Sequence, residues 1–549
     1  MRIPLTRRDF LRTASALGAL AGARLEASAF QANAERGGRK GPPNVTFKGP
    51  IPVTANSKPW STAMDGGPRE ALVKRYDYLE EEYFLSGTAN VYGPGGKPDP
   101  GLPVLDHAKQ LRPLSTLMRP DVPFTTRAIM VRPRDLAKFS GVVHLIPLHN
   151  LDGTTYVEKN LLRDGDAWIG LEVNSGTRFG VEERPSGGIA NLHTSDAQRY
   201  GELSIPAGLP SDWPDLQPGR LGEAFKNIDF GRPGDSSEIF RQEISRSYAQ
   251  APDIMTKMAE ALRTNAPGNP LVGRKVRRIY TAGRSGQSTI LAPYVQFHHE
   301  AARARLGHVP FDGYMIRVGA WPANRPKGSV LVIVLSEGEI RNLPSSVVTE
   351  LADSDDPMFR YYEIPGVGHG LTSRPNVSLS IGSLVPKGVQ GISDIEGHTE
   401  YQPYDKISLP VVWGMFRNMY DWLDKGIPMP HAPRVTRAAG APDGLARDRF
   451  GNALGGLRLP WMDEPDARYV GAISAKNPLE GGMMPFSEAQ MKELYGSKEA
   501  YQARLDKRLE QMAKDRWIAP QDIPLMRKRG STPALALGFD EYAGEGRDD

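Results

Sequence analysis

Gly283-Arg284-Ser285-Gly286-Gln287-Ser288 follows a β-prone run, Val276 to Tyr280, and leads into a helix-like stretch from Thr289 to Ala302. A serine at such a strand-to-helix switch sits on a sharp, strained turn that tolerates only small neighbours and pushes the hydroxyl into the cleft above a parallel sheet. The usual pattern at such a turn is Gly-x-Ser-x-Gly. Here Gln287 stands two places after the serine, and the glycine has moved beside it as Gly286. Taking Ser288 instead would put the β-branched Ile290 where the turn wants a small residue and would carry the serine into the helix. Ser285 is therefore the preferred nucleophile.

On both sides of this turn strands alternate with helices, which is the signature of a mostly parallel, doubly wound α/β sheet. Upstream, Gly141 to Leu148 reads as an apolar strand, Tyr156 to Arg163 as a helix and Ala167 to Val173 as the next strand, with a helix from about 236 to 264 before the nucleophile strand. Downstream, Asp312 to Val318, Ser329 to Leu335 and Tyr361 to Ile364 read as strands, and Pro410 to Lys425 as a closing helix. The expected organisation is a leader over 30–44, a β-rich segment over 45–135, a core over 136–434 and a C-terminal extension over 435–549 that is helical toward its end. Both extensions are expected to pack on the core. Insertions at 174–235 and 371–409 follow strand ends and are expected to form the lid and substrate pocket.

A chain of 549 residues, 39% hydrophobic, can bury a full core, while 58 Gly and 47 Pro make it rich in loops. No apolar run approaches the roughly 20 residues that span a bilayer, so stable membrane insertion is not expected. Thr6-Arg7-Arg8-Asp9-Phe10-Leu11-Arg12, a modest apolar segment through Gly22 and an Ala27-Ser28-Ala29 cleavage site together read as a twin-arginine export signal over 1–29. The expected location is the periplasm or the medium, with the twin-arginine translocase as partner during export.

Up to Ala29 there are five arginines against Asp9 and Glu26, so losing this segment lowers the formal +4 to about +1. That balance, without any Lys/Arg tract interleaved with aromatics, gives no argument for nucleic acid. The absence of cysteine excludes disulfides, thiolate catalysis and Cys-ligated metals.

Activating a serine near neutral pH needs a base within hydrogen-bond reach, a carboxylate to orient that base, and donors for the oxyanion. On nucleophile-elbow scaffolds the chain order is serine, acid, histidine. Ser336-Glu337-Gly338-Glu339-Ile340 ends a strand and offers two candidate acids. This stretch is similar to the Gly-Glu-x-Asp of many hydrolases, whose last residue acts, and that register selects Glu339 with Glu337 in reserve. His369, among the glycines of Pro365-Gly366-Val367-Gly368-His369-Gly370, ends the last strand and is the candidate base. For the oxyanion, Gly286 offers one amide, and Asn150 or Leu151 in the loop after Gly141 to Leu148 offers the second; sequence does not decide between the two. His149 could line the pocket or be structural.

Other motifs point away from cofactors. Tyr92-Gly93-Pro94-Gly95-Gly96-Lys97 lacks phosphate-loop spacing. His298-His299-Glu300 lies on the nucleophile helix without a second ligand at the His-Glu-x-x-His spacing, so a surface or packing role is expected. Asp353-Ser354-Asp355-Asp356 reads as a solvated turn. No metal or cofactor is expected.

Tyr78-Leu79-Glu80-Glu81-Glu82-Tyr83-Phe84-Leu85-Ser86-Gly87-Thr88-Ala89-Asn90, Phe450-Gly451-Asn452-Ala453-Leu454-Gly455-Gly456-Leu457-Arg458-Leu459-Pro460 and Pro485-Phe486-Ser487 resemble the opening strand pair and C-terminal signature of the large bacterial α/β-hydrolase-domain proteins, many of them exported. The resemblance runs from about Tyr78 to Lys528. Members carry Gly-x-Ser-Gln-Ser-Gly at the elbow, so Gly283-x-Ser285 carries over and Gly286-Gln287 is a swapped variant. The resemblance implies an α/β-hydrolase fold and a serine hydrolase, and supplies no substrate. Taken with the residues above, the expected activity is hydrolysis of a small-molecule carboxylic ester through an acyl-enzyme. A peptidase of the prolyl-oligopeptidase kind and a non-enzymatic binding protein on the same scaffold are the rivals.

Overall fold

The computed structural model describes residues 44–59, 74–93, 114–148, 159–175, 188–206, 248–264, 266–319, 321–322, 324–341, 358–369, 409–472 and 481–527, apart from the side chains of Asn191 and Ser285. The export segment 1–29 and nearly all of the leader lie outside these residues, as does most of the two insertions. The chain divides into two compact units, Met1–Leu331 and Val332–Asp549.

The first unit opens with β1 (Val45–Lys48), β2 (Tyr78–Gly93) and β3 (Thr116–Pro133), paired antiparallel in sequence order. Next come β4 (Val142–Leu148), α1 (Lys159–Asp164), β5 (Ala167–Glu172), α2 (Gly188–Ser195), α3 (Ala197–Tyr200) and α4 (Ala251–Arg263). Then β6 (Arg278–Arg284), α5 (Ser288–Pro293), α6 (His299–Leu306) and β7 (Gly313–Arg317) follow. Within this unit the strand order is β1-β2-β3-β5-β4-β6-β7. β3 pairs antiparallel with β5, whereas β5, β4, β6 and β7 run parallel. The antiparallel opening and parallel continuation follow the expected α/β class. Every residue of β4 and of β5 is buried, as strands covered on both faces must be.

Boundaries moved where tertiary pairing outweighed local preference. The nucleophile strand, expected over Val276 to Tyr280, runs on to Arg284 because Tyr280 to Arg284 pair residue for residue with Gly313 to Arg317. The helix after it is not continuous: Pro293 lacks an amide hydrogen, and a π turn over Tyr294–His298 separates α5 from α6.

A bulge in β2 shows how this unit closes its polar accounts. Register shifts at Asn90, where the Gln250 side chain donates to the carbonyls of Ala89 and Val122, each at 3.0 Å, and Asp253 accepts the Asn90 amide at 2.8 Å. The groups that the ladder leaves unpaired are thus satisfied from the start of α4. Deeper in, Glu82 of β2 accepts from Arg127, from Arg199 at 2.7 Å and from Tyr200 at 3.0 Å. A buried carboxylate is tolerable only when paired in this way.

The chain passes into the second unit within β8 (Val330–Ser336). There follow α7 (Glu337–Ile340), β9 (Phe359–Ile364), α8 (Leu409–Lys425), α9 (Pro460–Asp463), β10 (Ala467–Val470), β11 (Gly482–Pro485), α10 (Glu488–Tyr495), α11 (Lys498–Lys514) and α12 (Ile523–Arg527). β8 and β9 are neighbours and wholly buried; β10 and β11 form a separate antiparallel pair. Between α8 and α9 the chain makes a meander held by bridges Val435 to Gly455, Arg437 to Leu445 and Arg447 to Ala453. A capping box between Ser487 and Gln490 starts α10.

Candidate functional site

In the first unit the chain leaves β4 for β5 on one side and later returns as β6 on the other. Where strand order reverses in this way, neighbouring loops part and leave a crevice beyond the carboxyl ends of the strands. β6 ends at Arg284, and the next residue, Ser285, opens a single 3-10 turn over Ser285–Gln287 that hands over to α5. The preferred nucleophile therefore stands at this reversal, and Gly286 stands beside it in the same turn.

Two features make the turn tight. A Cβ on Gly283 would lie 2.9 Å from Leu291 Cδ1 and 3.0 Å from the Gln287 carbonyl carbon, so strand and helix can meet this closely only at glycine. Gln287 occupies the place where the usual motif has glycine, and its side chain explains the exchange. Its Oε1 accepts the Arg284 amide at 3.0 Å, and its Nε2 donates to the Pro147 carbonyl at 3.0 Å. One buried side chain thus ties the turn to the end of β4. Ser288, the alternative serine, is fully buried as the first residue of α5. Thr289 Oγ1 donates to the Gly286 carbonyl at 2.5 Å.

Asn150 and Leu151, the candidate second oxyanion donors, lie outside the described residues, as does His149. The strand that delivers their loop, β4, ends at Leu148 opposite Glu172 of β5. Sequence reasoning passed over Glu172. It is buried at the end of β5, one oxygen accepting the Asn174 amide at 3.0 Å. Burial pushes its carboxyl up to about 8, against the pull of the Asn174 amide and of Arg127.

His298 and His299 are packing residues. His298 contacts the Leu114 carbonyl at 2.6 Å and packs edge-on against Tyr92. His299 contacts the Tyr314 hydroxyl at 2.8 Å and the Lys327 carbonyl at 3.1 Å. Burial depresses the His298 imidazole to about 4, so it is neutral at ordinary pH. Among the described residues no cluster of three or more His, Asp or Glu is arranged to hold a metal.

The second unit brings Glu339 and His369 together. Glu339 Oε1 lies 2.5 Å from His369 Nδ1. Its Oε2 accepts the Ser336 amide at 2.9 Å and the Ser336 hydroxyl at 2.5 Å, closing a capping box on α7. Each carboxylate oxygen thus has its own task, one fixing the carboxylate and one meeting the imidazole. Glu339 is buried and His369 is about one-fifth exposed. Glu337 points elsewhere: its Oε2 accepts the Gly366 amide at 2.7 Å, and its Oε1 meets Arg447 at 2.8 Å and the Gly471 amide at 3.2 Å. No local pattern could have revealed Arg447, which reaches Glu337 across 110 positions of sequence.

A family model described as an alpha/beta hydrolase domain matches residues 47–528. The chain belongs to the α/β-hydrolase domain family. The resemblance drawn from the opening strand pair and the C-terminal signature is thereby shown at the level of the family. Among solved structures the likenesses are remote. A putative dienelactone hydrolase from Klebsiella pneumoniae subsp. pneumoniae shares 11% identity over 52% of this chain and 86% of its own, with a TM-score of 0.23. Acetyl xylan esterase 1 from Thermoanaerobacterium sp. shares 9% over 66% and 92%, with a TM-score of 0.29. A ferulic acid esterase from Streptomyces cinnamoneus shares 14% over 63% and 92%, with a TM-score of 0.28. No curated protein sequence matches the chain.

Proposed function

We propose that this α/β-hydrolase-domain protein is an exported serine hydrolase that cleaves small carboxylic esters. Ser285 attacks the ester carbonyl while His369 takes its proton; the tetrahedral oxyanion is held by the Gly286 amide and by that of Asn150 or Leu151. Collapse expels the alcohol, which receives the proton from His369 and leaves an acyl-serine. Water, deprotonated by His369, then attacks the acyl group, and the released Ser285 recovers its proton as the carboxylic acid departs.

The observation that carries this reading is the 2.5 Å contact between Glu339 Oε1 and His369 Nδ1. With Nδ1–H donated to a fixed carboxylate, the basic nitrogen of the neutral ring is Nε2, the atom a serine hydroxyl needs. Supporting it from the first unit are the serine's place at the reversal of strand order and the glycine-only approach at Gly283.

Labelling by a fluorophosphonate probe, followed by assays on p-nitrophenyl esters, tests the proposal. Wild type and Ser288→Ala are expected to label and to hydrolyse, and Ser285→Ala to do neither. Labelling lost only in Ser288→Ala would move the nucleophile. Faster turnover of aminoacyl arylamides than of acyl esters would make the enzyme a peptidase.

Export through the twin-arginine route, to the periplasm or beyond, is part of the same proposal and rests on Thr6-Arg7-Arg8-Asp9-Phe10-Leu11. Among the described residues no helix is long and apolar enough to cross a membrane. Replacing Arg7 and Arg8 by lysine should hold the protein in the cytoplasm of an expressing bacterium; unchanged appearance in the periplasmic fraction would refute that route.

A further inference from the structure

Glu337 is almost completely buried two residues from Glu339, yet its carboxylate does not meet the imidazole. A second carboxylate this close to a catalytic histidine would be a liability if left uncompensated. It would add a further negative charge to the segment that carries Glu339 and favour the protonated ring, which cannot act as a base. The chain deals with that charge through Arg447 of the meander, which meets Glu337 Oε1 at 2.8 Å and also contacts Asp443. Although burial works against its charge, Glu337 and Asp443 hold the Arg447 guanidinium above the ordinary arginine range.

The other Glu337 oxygen accepts the amide of Gly366 at 2.7 Å, three residues before His369. Gly366 has φ +70°, and a Cβ there would stand 2.6 Å from Met462 Sδ. Its amide therefore has a fixed direction, and Glu337 receives it. Glu337 thus joins three segments: the turn that carries Glu339, the turn that carries His369, and the meander that carries Arg447. Close packing of the strand end after β10 completes the arrangement, since a Cβ on Gly471 would lie 2.5 Å from the Gly338 nitrogen.

We infer that Glu337 and Arg447 form a positioning pair for the proposed base: Glu337 anchors the loop that presents His369, and Arg447 compensates the Glu337 charge, so that Glu339 remains the carboxylate that acts on the imidazole. This rests on the proposed role of His369. The charged groups concerned are Glu339 at the ring, Glu337 and Arg447, which meet each other, and Asp443, which Arg447 and Arg341 both face. Three carboxylates, Glu337, Glu339 and Asp443, thus stand with two guanidiniums, Arg447 and Arg341, and Glu339 is the carboxylate that meets the imidazole.

The test reads His369 directly. Its imidazole titration is followed by NMR in the full chain, with the resonance assigned through His369→Gln, for wild type, Glu337→Gln and Arg447→Met. Glu337→Gln keeps shape but removes one of the two carboxylates that face Arg447, so the His369 midpoint should fall. Arg447→Met removes the cation that faces Glu337 and Asp443, so the midpoint should rise. The acid limb of kcat/KM on p-nitrophenyl acetate should move with each, because that limb reports the free enzyme's base. Opposite shifts support the pair, whereas no shift, or shifts of one sign, overturn it.

A purely structural role would alter melting without this change of sign. Should Arg447→Met not fold, the Glu337→Gln midpoint decides alone: a fall supports the inference, and a rise or no change overturns it. A third variant, Glu337→Ala, removes the anchor and should lower kcat by about 10- to 100-fold with KM little altered, the size of effect expected from a misplacement of about 1 Å. Because NMR needs no turnover, an inactive protein with the expected shifts would overturn the hydrolase proposal and leave the pair intact.

Discussion

Glu339 meets His369 through Oε1 at 2.5 Å while Ser336 holds Oε2, so the carboxylate cannot turn away from the ring without breaking the cap of its own helix. Orientation here comes from a capping box, a local device whose three-residue spacing is set by helix geometry. Glu339→Gln should therefore keep the fold and impair turnover. An amide can still cap through its oxygen, but its NH2 group facing Nδ1 favours the wrong tautomer. We expect kcat on p-nitrophenyl acetate to drop by about 10³- to 10⁴-fold, as for a triad that has lost its acid, with KM nearly unchanged. Activity within a few-fold of wild type would remove Glu339 from the proposed triad.

The elbow should be sensitive at Gly283 and Gln287 for different reasons. Gly283→Ala puts a methyl group against the backbone of Gln287 and should displace the Ser285 turn, costing about 1–3 kcal/mol of stability and a larger share of kcat. Gln287→Ala leaves the Arg284 amide and the Pro147 carbonyl without their side-chain partner, for a loss of about 1–3 kcal/mol in urea unfolding. If Gln287→Gly, which restores the usual glycine, proves as stable as wild type, then the bridge to β4 contributes nothing.

Residues close in sequence were the legible ones. Gly283 and the serine turn, the Ser336 segment with its two glutamates, and His369 at the end of β9 could each be placed because a strand end, a turn and a helix start leave local signs. That Glu339 meets His369 while Glu337 turns elsewhere goes with contacts made by Gly366, Arg447 and Gly471, which no window of sequence contains. The same holds for the bulge at Asn90, answered from Gln250 and Asp253. The meander of bridges from Val435 to Gly455 escaped notice because its pairings are single bridges among Val, Leu, Gly, Ala and Arg, with neither period 2 nor period 3.6 to betray them.

Acid sensitivity should reside partly in His298. Its imidazole is depressed to about 4 by burial, although the Leu114 carbonyl and Asp253 favour its charged form. The unfolded chain, with an ordinary value of 6.5, binds more protons between those limits, so stability rises with pH across that window and is lost as pH falls through it. The total is at most about 3 kcal/mol from this one group. Urea unfolding at pH 7 and pH 5 should show the loss in wild type and a flatter dependence in His298→Gln. Equal slopes in the two proteins would assign the acid sensitivity elsewhere.

Glu172 should produce the opposite dependence. Its carboxyl, raised to about 8 chiefly by burial, remains protonated in the folded protein while the unfolded chain ionises from about 4.5 upward. The unfolded state then binds fewer protons, so this group's contribution to stability falls as pH rises from 4.5 to 8. Arg127 pulls the other way but offers little relief, because it already donates to Glu82. Glu172→Gln mimics the protonated acid and keeps an oxygen for the Asn174 amide, so it should match wild type near pH 4.5. Above that it should become the more stable of the two, by a margin growing at up to about 1.4 kcal/mol per pH unit. Urea midpoints at pH 5 and pH 8 measure the divergence. A variant less stable than wild type at pH 8 would mean that Glu172 is ionised in the folded protein and held by a partner stronger than the Asn174 amide.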